Sequence, residues 1–269
     1  MKDILQDIIA NKHIEVERQK QAVRLQTLLG LGGERLERPT RSMRAALAAS
    51  SSGIIAEFKR KSPSKGWLHP DAAVADVLPA YEKKGASACS VLTDSHFFGG
   101  SLGDLCKARS LVDLPLLRKD FIIDEYQVYQ ARIMGADAIL LIAACLTQKQ
   151  CLTFAELAHT LDMEVLLEIH SEKELGYLNT FVDMLGVNNR NLGTFHTEVE
   201  NSFRLAKTMQ TVAHEKNLFP LLVSESGIST TTIVSNLREA GFRGFLIGET
   251  FMKTNAPGDT LAQFIGGLS

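Results

Sequence analysis

Eight apolar runs of strand length, spread evenly between helix-length segments, constrain this 269-residue chain more than any other feature. They cover 54–59, 88–93, 115–121, 138–143, 164–170, 184–189, 218–226 and 244–249. Each run is continuous and ends in polar residues. Continuous apolar runs suit parallel strands covered on both faces, whereas a half-exposed strand alternates. Segments 124–134 and 199–212 carry helical periodicity. Gly85, Gly135 and Gly241 stand where helices must turn into the next strand. Eight strand–helix repeats in a chain near 250 residues predict an α/β fold, a closed (β/α)8 TIM barrel. An open, doubly wound sheet is the alternative, but it does not require eight units so evenly spaced.

Residues 1–50 precede the first strand. Ile4, Leu5, Ile8 and Ile9 recur at helical spacing, Gly30, Gly32 and Gly33 break the pattern, and a second helix is expected over 42–49. So few large apolar side chains cannot build a core of their own. The expectation is one barrel domain over 1–269, with 1–50 as an N-terminal helical extension packed on it. Pro79 falls inside the first barrel helix and should kink or shorten it.

The 29 basic and 31 acidic residues leave a net charge of −2. No surplus positive field exists to hold a nucleic-acid backbone or an anionic membrane. No apolar run reaches the ~20 residues of a membrane span, and the N-terminus carries acids through its apolar part and lacks a signal-peptide core. A cytoplasmic location is expected. The cysteines Cys89, Cys106, Cys145 and Cys151 form no CxxC pair and read as reduced thiols. The seven histidines show no ligand spacing, and Gly30–Gly33 follows no strand, so no metal or nucleotide cofactor is indicated.

In a barrel of this kind the site lies at the C-terminal strand ends. Strand one ends in Glu57 and Lys59, strand three in Lys119 and Asp120, strand five in Glu168. Strand six ends in Asn188, Asn189 and Arg190, strand seven in Glu225 and Ser226. Glu57 and Lys59 are two apart and share a side, with Phe58 opposite. A structural ion pair would explain either alone. Glu57, Lys59, Lys119 and Glu168 together can hold proton donors and acceptors at separated pKa values. The loops after strands seven and eight, Ser226-Gly227 and Gly248-Glu249, suit a phosphate bound partly by backbone N–H groups. Between 59 and 65 lie four basic residues beside Ser62, in a loop that can gather an anion. Trp67 is expected to pack on the rim. His170 reads as a loop residue.

These strand-end strings resemble one family. AEFKRKSPS (56–64), LRKDFIID (117–124), LEIH (167–170), GVNNRNL (186–192), SESGI (224–228) and LIGE (246–249) are similar to the motifs of indole-3-glycerol-phosphate synthase. ILQDIIANKHIEVE (4–17) and RSMRAAL (41–47) resemble its helical extension. The first string is the most specific; SGI and IGE occur in many phosphate-binding barrels. The resemblance implies a carboxy-lyase of tryptophan biosynthesis, converting 1-(2-carboxyphenylamino)-1-deoxyribulose 5-phosphate by ring closure, decarboxylation and dehydration. It implies Lys119 as the acid of ring closure and Glu168 as the carboxylate handling protons in dehydration. Lys59 matches the lysine on the substrate's carboxylate and phosphate region, also a candidate donor to the departing hydroxyl. Glu57, Asn188 and Ser226 match supporting residues. Lys59, Ser62, Arg190, Ser226, Gly227, Gly248 and Glu249 are the expected substrate contacts. The division of labour among Lys59, Lys119 and Glu168 stays open, as does oligomeric state, with a monomer favoured. Many relatives carry serine where this chain has Glu249, so that carboxylate is expected to point outward. Two other readings remain: a Schiff-base aldolase with Lys119 as nucleophile, and a non-catalytic sugar-phosphate-binding barrel.

Overall fold

The computed structural model describes residues 4–191 and 196–268. Leu192, the last residue of the 186–192 string, and residues 1–3 of the expected extension lie outside the described residues. The chain opens with helices α1 (Ile4–Ala22), α2 (Leu25–Gly32), α3 (Glu34–Glu37) and α4 (Met43–Ala49). Strand β1 (Ile54–Phe58) leads into a small antiparallel hairpin, β2 (Lys61–Ser62) with β3 (Gly66–Trp67), then α5 (Val74–Lys83). Next come β4 (Ala88–Leu92), α6 (Ser95–Phe98), α7 (Leu102–Arg109), β5 (Leu116–Lys119), α8 (Glu125–Met134), β6 (Ala138–Ile142) and α9 (Gln148–Thr160). β7 (Glu164–Ile169), β8 (Met184–Asn188), α10 (Glu200–Glu215), β9 (Leu221–Glu225), α11 (Thr231–Glu239), β10 (Gly244–Ile247), α12 (Glu249–Met252) and α13 (Pro257–Gly266) complete it.

Eight strands pair in parallel and close in the order β1-β10-β9-β8-β7-β6-β5-β4. All eight expected runs are strands. Each stops one or two residues short of its apolar run at the C-terminal end, where the polar residues turn away from the ladder. The connection from β7 to β8 departs from the repeat: it holds only a 3-10 turn, Glu172–Tyr177. Pro79 does not shorten α5, which continues to Lys83. One hydrogen bond is lost there, but the buried face of Val74, Val77, Leu78 and Tyr81 holds the helix together. Likewise α2 runs through Gly30 and turns only at Gly33. Gly85, Gly135 and Gly241 adopt the positive φ expected beyond a helix end, at 92°, 100° and 104°.

Strand alternation sorts the core into two shells. Ile54, Ala56, Val91, Leu116, Ile139, Val165, Leu167 and Phe245 face the helices. Ile55, Leu117, Leu140, Leu166, Met184, Val223 and Leu246 fill the barrel interior. Met43 and Leu47 of α4 join this interior cluster, with Ser42 capping the helix and bonding Glu164 at the start of β7. Ile8 of α1 joins it from the opposite end. Residues 4–49 thus reach both ends of the barrel. Cys89 and Cys151 are buried and Cys106 and Cys145 half-buried, all as free thiols. Among the described residues no helix is long and apolar enough to cross a membrane.

Candidate active site

The inward parity of each strand carries directly into the site. Two residues beyond interior Ile55, Leu117, Leu166 and Val223 come Glu57, Lys119, Glu168 and Glu225. Register then sets neighbours: Glu168 lies beside Gly186, and Asn188 beside Glu225. A cavity of about 320 Å³ opens above this tier. Ile4, Leu5 and Ile8 of α1, with Leu92, Phe98, Phe121 and Ile142, give it an apolar wall. Its polar wall contains Glu57, Lys59, Lys119, Glu168, Asn188, Arg190 and Glu225. Ser226, Gly227, Gly248, Glu249 and Lys253 border the end formed by the last two strand loops.

Lys119 is the hub. Its Nζ donates to Glu168 Oε2 at 2.9 Å and Glu225 Oε2 at 3.0 Å. Burial alone would lower the pKa of this ammonium, but Glu168, Glu225 and Glu57 outweigh it and hold the group above the ordinary lysine range. A lysine nucleophile must be an amine at working pH. Lys119 is instead held as an ammonium donor in the resting site, which argues against the aldolase reading. The two carboxylates beside it separate. Burial raises Glu225 to about 7, an effect that Lys119 opposes and Glu168 reinforces. Burial also pushes Glu168 upward, but Lys119, His170 and Asn188 overcome it and bring it below its usual value. The pair therefore holds one readily exchanged proton near neutral pH, mostly on Glu225.

Lys59 Nζ stands 2.5 Å from Glu57 Oε1, the same-face pair that their spacing predicted. Two glycines make room for these carboxylates. A Cβ on Gly248 would lie 2.3 Å from Glu57 Oε1, and one on Gly186 would lie 2.5 Å from Glu225 Oε1. Ser226 takes φ +69° and Gly227 φ +78°. Asn189 secures this turn, donating to the Ser226 carbonyl at 3.0 Å and to Ser224 Oγ at 3.1 Å. A serine at positive φ costs ~1 kcal/mol or more and marks a backbone bent for a purpose.

The remaining expected residues divide. Arg190 donates to Ser64 Oγ at 2.7 Å and to Glu249 Oε2 at 3.3 Å, closing the strand-one loop over the cavity. Glu249 is therefore not turned outward as expected. It lines the cavity because Arg190 neutralises it. Ser62 is buried in the hairpin, where its Oγ accepts from Lys65 N–H at 3.2 Å; it is outside the cavity wall. Of the four basic residues, Lys59 and Lys65 reach the cavity. Arg60 forms a two-pronged pair with Asp104, at 2.7 and 2.9 Å, and Lys61 bonds the His96 carbonyl. Trp67 is exposed and rests against Gly99. Glu225, legible in the sequence as an end of strand seven, carried no expected role there. Its parity with Val223 was the signal that could have found it.

A closed eight-stranded barrel with a lysine between two carboxylates, beside an anion-suited pair of loops, defines a strand-end acid–base enzyme of the TIM-barrel class. The chain belongs to the indole-3-glycerol phosphate synthase family, whose model matches residues 5–264. It is 60% identical over 265 residues to the indole-3-glycerol phosphate synthase of Bacteroides thetaiotaomicron, covering 98% of each chain. It is 45% identical over 272 residues to that of Polaromonas naphthalenivorans, covering 99% of this chain and all of the relative. Among solved structures, a mutant tryptophan synthase alpha-subunit from Pyrococcus furiosus matches with a TM-score of 0.60. That match has 12% identity and covers 81% of this chain and 97% of the other, a likeness of fold.

Proposed function

We propose that the cavity converts 1-(2-carboxyphenylamino)-1-deoxyribulose 5-phosphate to indole-3-glycerol phosphate, with release of carbon dioxide and water. The Lys119 ammonium, held between Glu168 and Glu225, carries the reading. Ring closure develops negative charge on a carbonyl oxygen, and a buried donor fixed by two carboxylates stabilises and protonates it. Carbon dioxide then leaves and restores the aromatic ring. Dehydration removes the new hydroxyl as water, with Glu168 handling the proton. Lys59, positioned by Glu57, holds the substrate's carboxylate and phosphate region. Ser226, Gly227, Gly248 and the Arg190–Glu249 pair border the phosphate, Asn188 supports Glu168, and Ser62 shapes the loop. The apolar wall from α1 takes the phenyl ring. The chain acts as one barrel domain with an N-terminal extension, a monomer in the cytoplasm.

Adding this substrate to purified protein should produce indole fluorescence at neutral pH. A folded protein giving no signal would overturn the reading. Borohydride should trap no adduct on Lys119; a covalent adduct would instead identify the aldolase.

A further inference from the structure

Beside Glu168, just past the end of β7, lies a histidine for which the reaction as described has no use. His170 follows Glu168 by two residues on one strand edge, so both side chains share a face, while Ile169 points into the helix layer. His170 is not part of the cavity wall. Both of its ring nitrogens are buried and lack hydrogen-bond partners, an arrangement that proteins seldom leave without a reason. Each nitrogen faces a carboxylate. Nε2 is 3.5 Å from Glu168 Oε1, and Nδ1 is 3.8 Å from Glu174 Oε2. Glu168 thus has two sides: Oε2 is held by Lys119 at the cavity, and Oε1 faces the imidazole.

Glu174 Oε2 is engaged by the backbone N–H groups of His170 and Ser171, which fixes the carboxylate beside Nδ1. Cys145, from the turn after β6, feels both Glu168 and Glu174; burial first, then those charges, raises its pKa and keeps the thiol neutral. Asn201 of α10 binds the His170 carbonyl and leaves the ring alone. Lys119 and Glu225 lie beyond Glu168. The Glu174 side chain beside Nδ1 is 19% exposed, whereas that of Glu168 is 1% exposed.

The proposed reaction creates a need for such a group. Ring closure adds one proton to the carbonyl oxygen. Dehydration adds another to the departing hydroxyl, while the neighbouring carbon gives one up. The balance is one proton drawn in per turnover, matching the loss of a carboxylate as neutral carbon dioxide. Once substrate fills the cavity, Glu168, 1% exposed, has no water on that side from which to take the proton.

We propose that His170 is the relay that reloads Glu168 with the proton consumed in each turnover. The imidazolium N–H bond at Nε2 breaks and an O–H bond forms at Glu168 Oε1. Rotation about the soft terminal torsion of the glutamate presents that proton to the cavity. There it passes to the departing hydroxyl as the C–O bond breaks and the electron pair leaves with water, while the proton given up by the neighbouring carbon returns to the Lys119 amine and restores its ammonium. The imidazole regains a proton at Nδ1 by way of Glu174, which takes it from solvent.

The inference rests on the synthase reading, and the experiment separates the two. Single-turnover indole formation is followed for wild type, H170Q and H170A, with and without imidazole in the buffer. Both variants should slow roughly tenfold or more with substrate affinity within about twofold of wild type, less than the roughly 10²–10⁴-fold of a group that acts on substrate itself, because His170 acts through Glu168. Added imidazole should accelerate H170A in proportion to its concentration and leave wild type unchanged. A merely structural histidine would give a loss that imidazole does not repair. The proposal is overturned if folded H170A is insensitive to imidazole. It is overturned equally, whatever the fate of H170A, if H170Q reacts within twofold of wild type. Inactive wild-type protein would instead sink the functional reading.

Discussion

Glu225 concentrates the physics of the site in one side chain. It is buried beside another carboxylate, and one lysine serves both. Its folded pKa of about 7 lies above its ordinary value of 4.5, so the native state binds more protons than the unfolded chain between those limits. Stability therefore falls as pH rises through that window. Glu225→Gln should match wild type near pH 5 and exceed it by on the order of 3 kcal/mol near pH 8. Urea unfolding at both pH values checks this; an advantage that does not grow with pH would contradict it. The same variant should lose kcat, because Lys119 loses one of its two anchors. A second residue-scale prediction concerns Gly248. Alanine there would drive a methyl group into Glu57, which must move and take Lys59 with it. Gly248→Ala should lower kcat/KM by roughly 10²-fold, as expected of a displacement near 1 Å. Steady-state kinetics with wild-type-like values would discard the packing argument. The sequence allowed Gly248 a role in approaching phosphate. The space it makes for Glu57 was not legible, because that contact joins the first and last barrel strands.

At the scale of elements, α1 is the piece that turns a barrel into a closed site. Its Ile4, Leu5 and Ile8 line the cavity, and its Lys12 fastens it. Lys12 Nζ is fully buried, 2.9 Å from both Asp94 and Asp120 and 2.8 Å from Glu15. Burial would lower the pKa of this ammonium, but those carboxylates raise it beyond the usual lysine range. Asp120, in turn, is brought down to about 2 by Lys12 and Arg118 against the opposing effect of burial. Removing one member strands buried charge. Lys12→Met should cost about 3–5 kcal/mol of stability and raise KM as the apolar wall loosens. Denaturant titration and kinetics read the two effects separately; unchanged KM in a folded variant would detach α1 from substrate binding. The helical period of Ile4, Leu5, Ile8 and Ile9 made α1 legible in the sequence, and the eight strands were legible because each is covered on both faces. Lys12 was not, since a lysine within a charged stretch reads as a solvated face until its partners from β4 and β5 are known. The missing helix between β7 and β8 was hidden similarly: Leu175 and Leu178 supply apolar spacing that the chain spends on a 3-10 turn.

The whole molecule separates its two faces. Chemistry gathers at the C-terminal strand ends, while the opposite face is tied by charges that touch no cavity. Asp137, fully buried before β6, accepts from Arg109 at 2.8 Å, from Arg38 at 3.3 Å, and from the backbone N–H groups of Leu116 and Arg41. This single carboxylate joins the incoming extension, α7 and β5. Arg109 is held there although burial lowers its pKa. Replacing the carboxylate by an amide removes the countercharge and turns an acceptor into a donor facing donors. Asp137→Asn should lower stability by about 3 kcal/mol or more. It should leave kcat and KM within twofold below the unfolding transition, because this face of the barrel serves stability. Urea unfolding and steady-state kinetics on the same preparation decide the matter. A fall in kcat matching the fall in stability would show that the extension transmits strain between the faces, and the separation would fail.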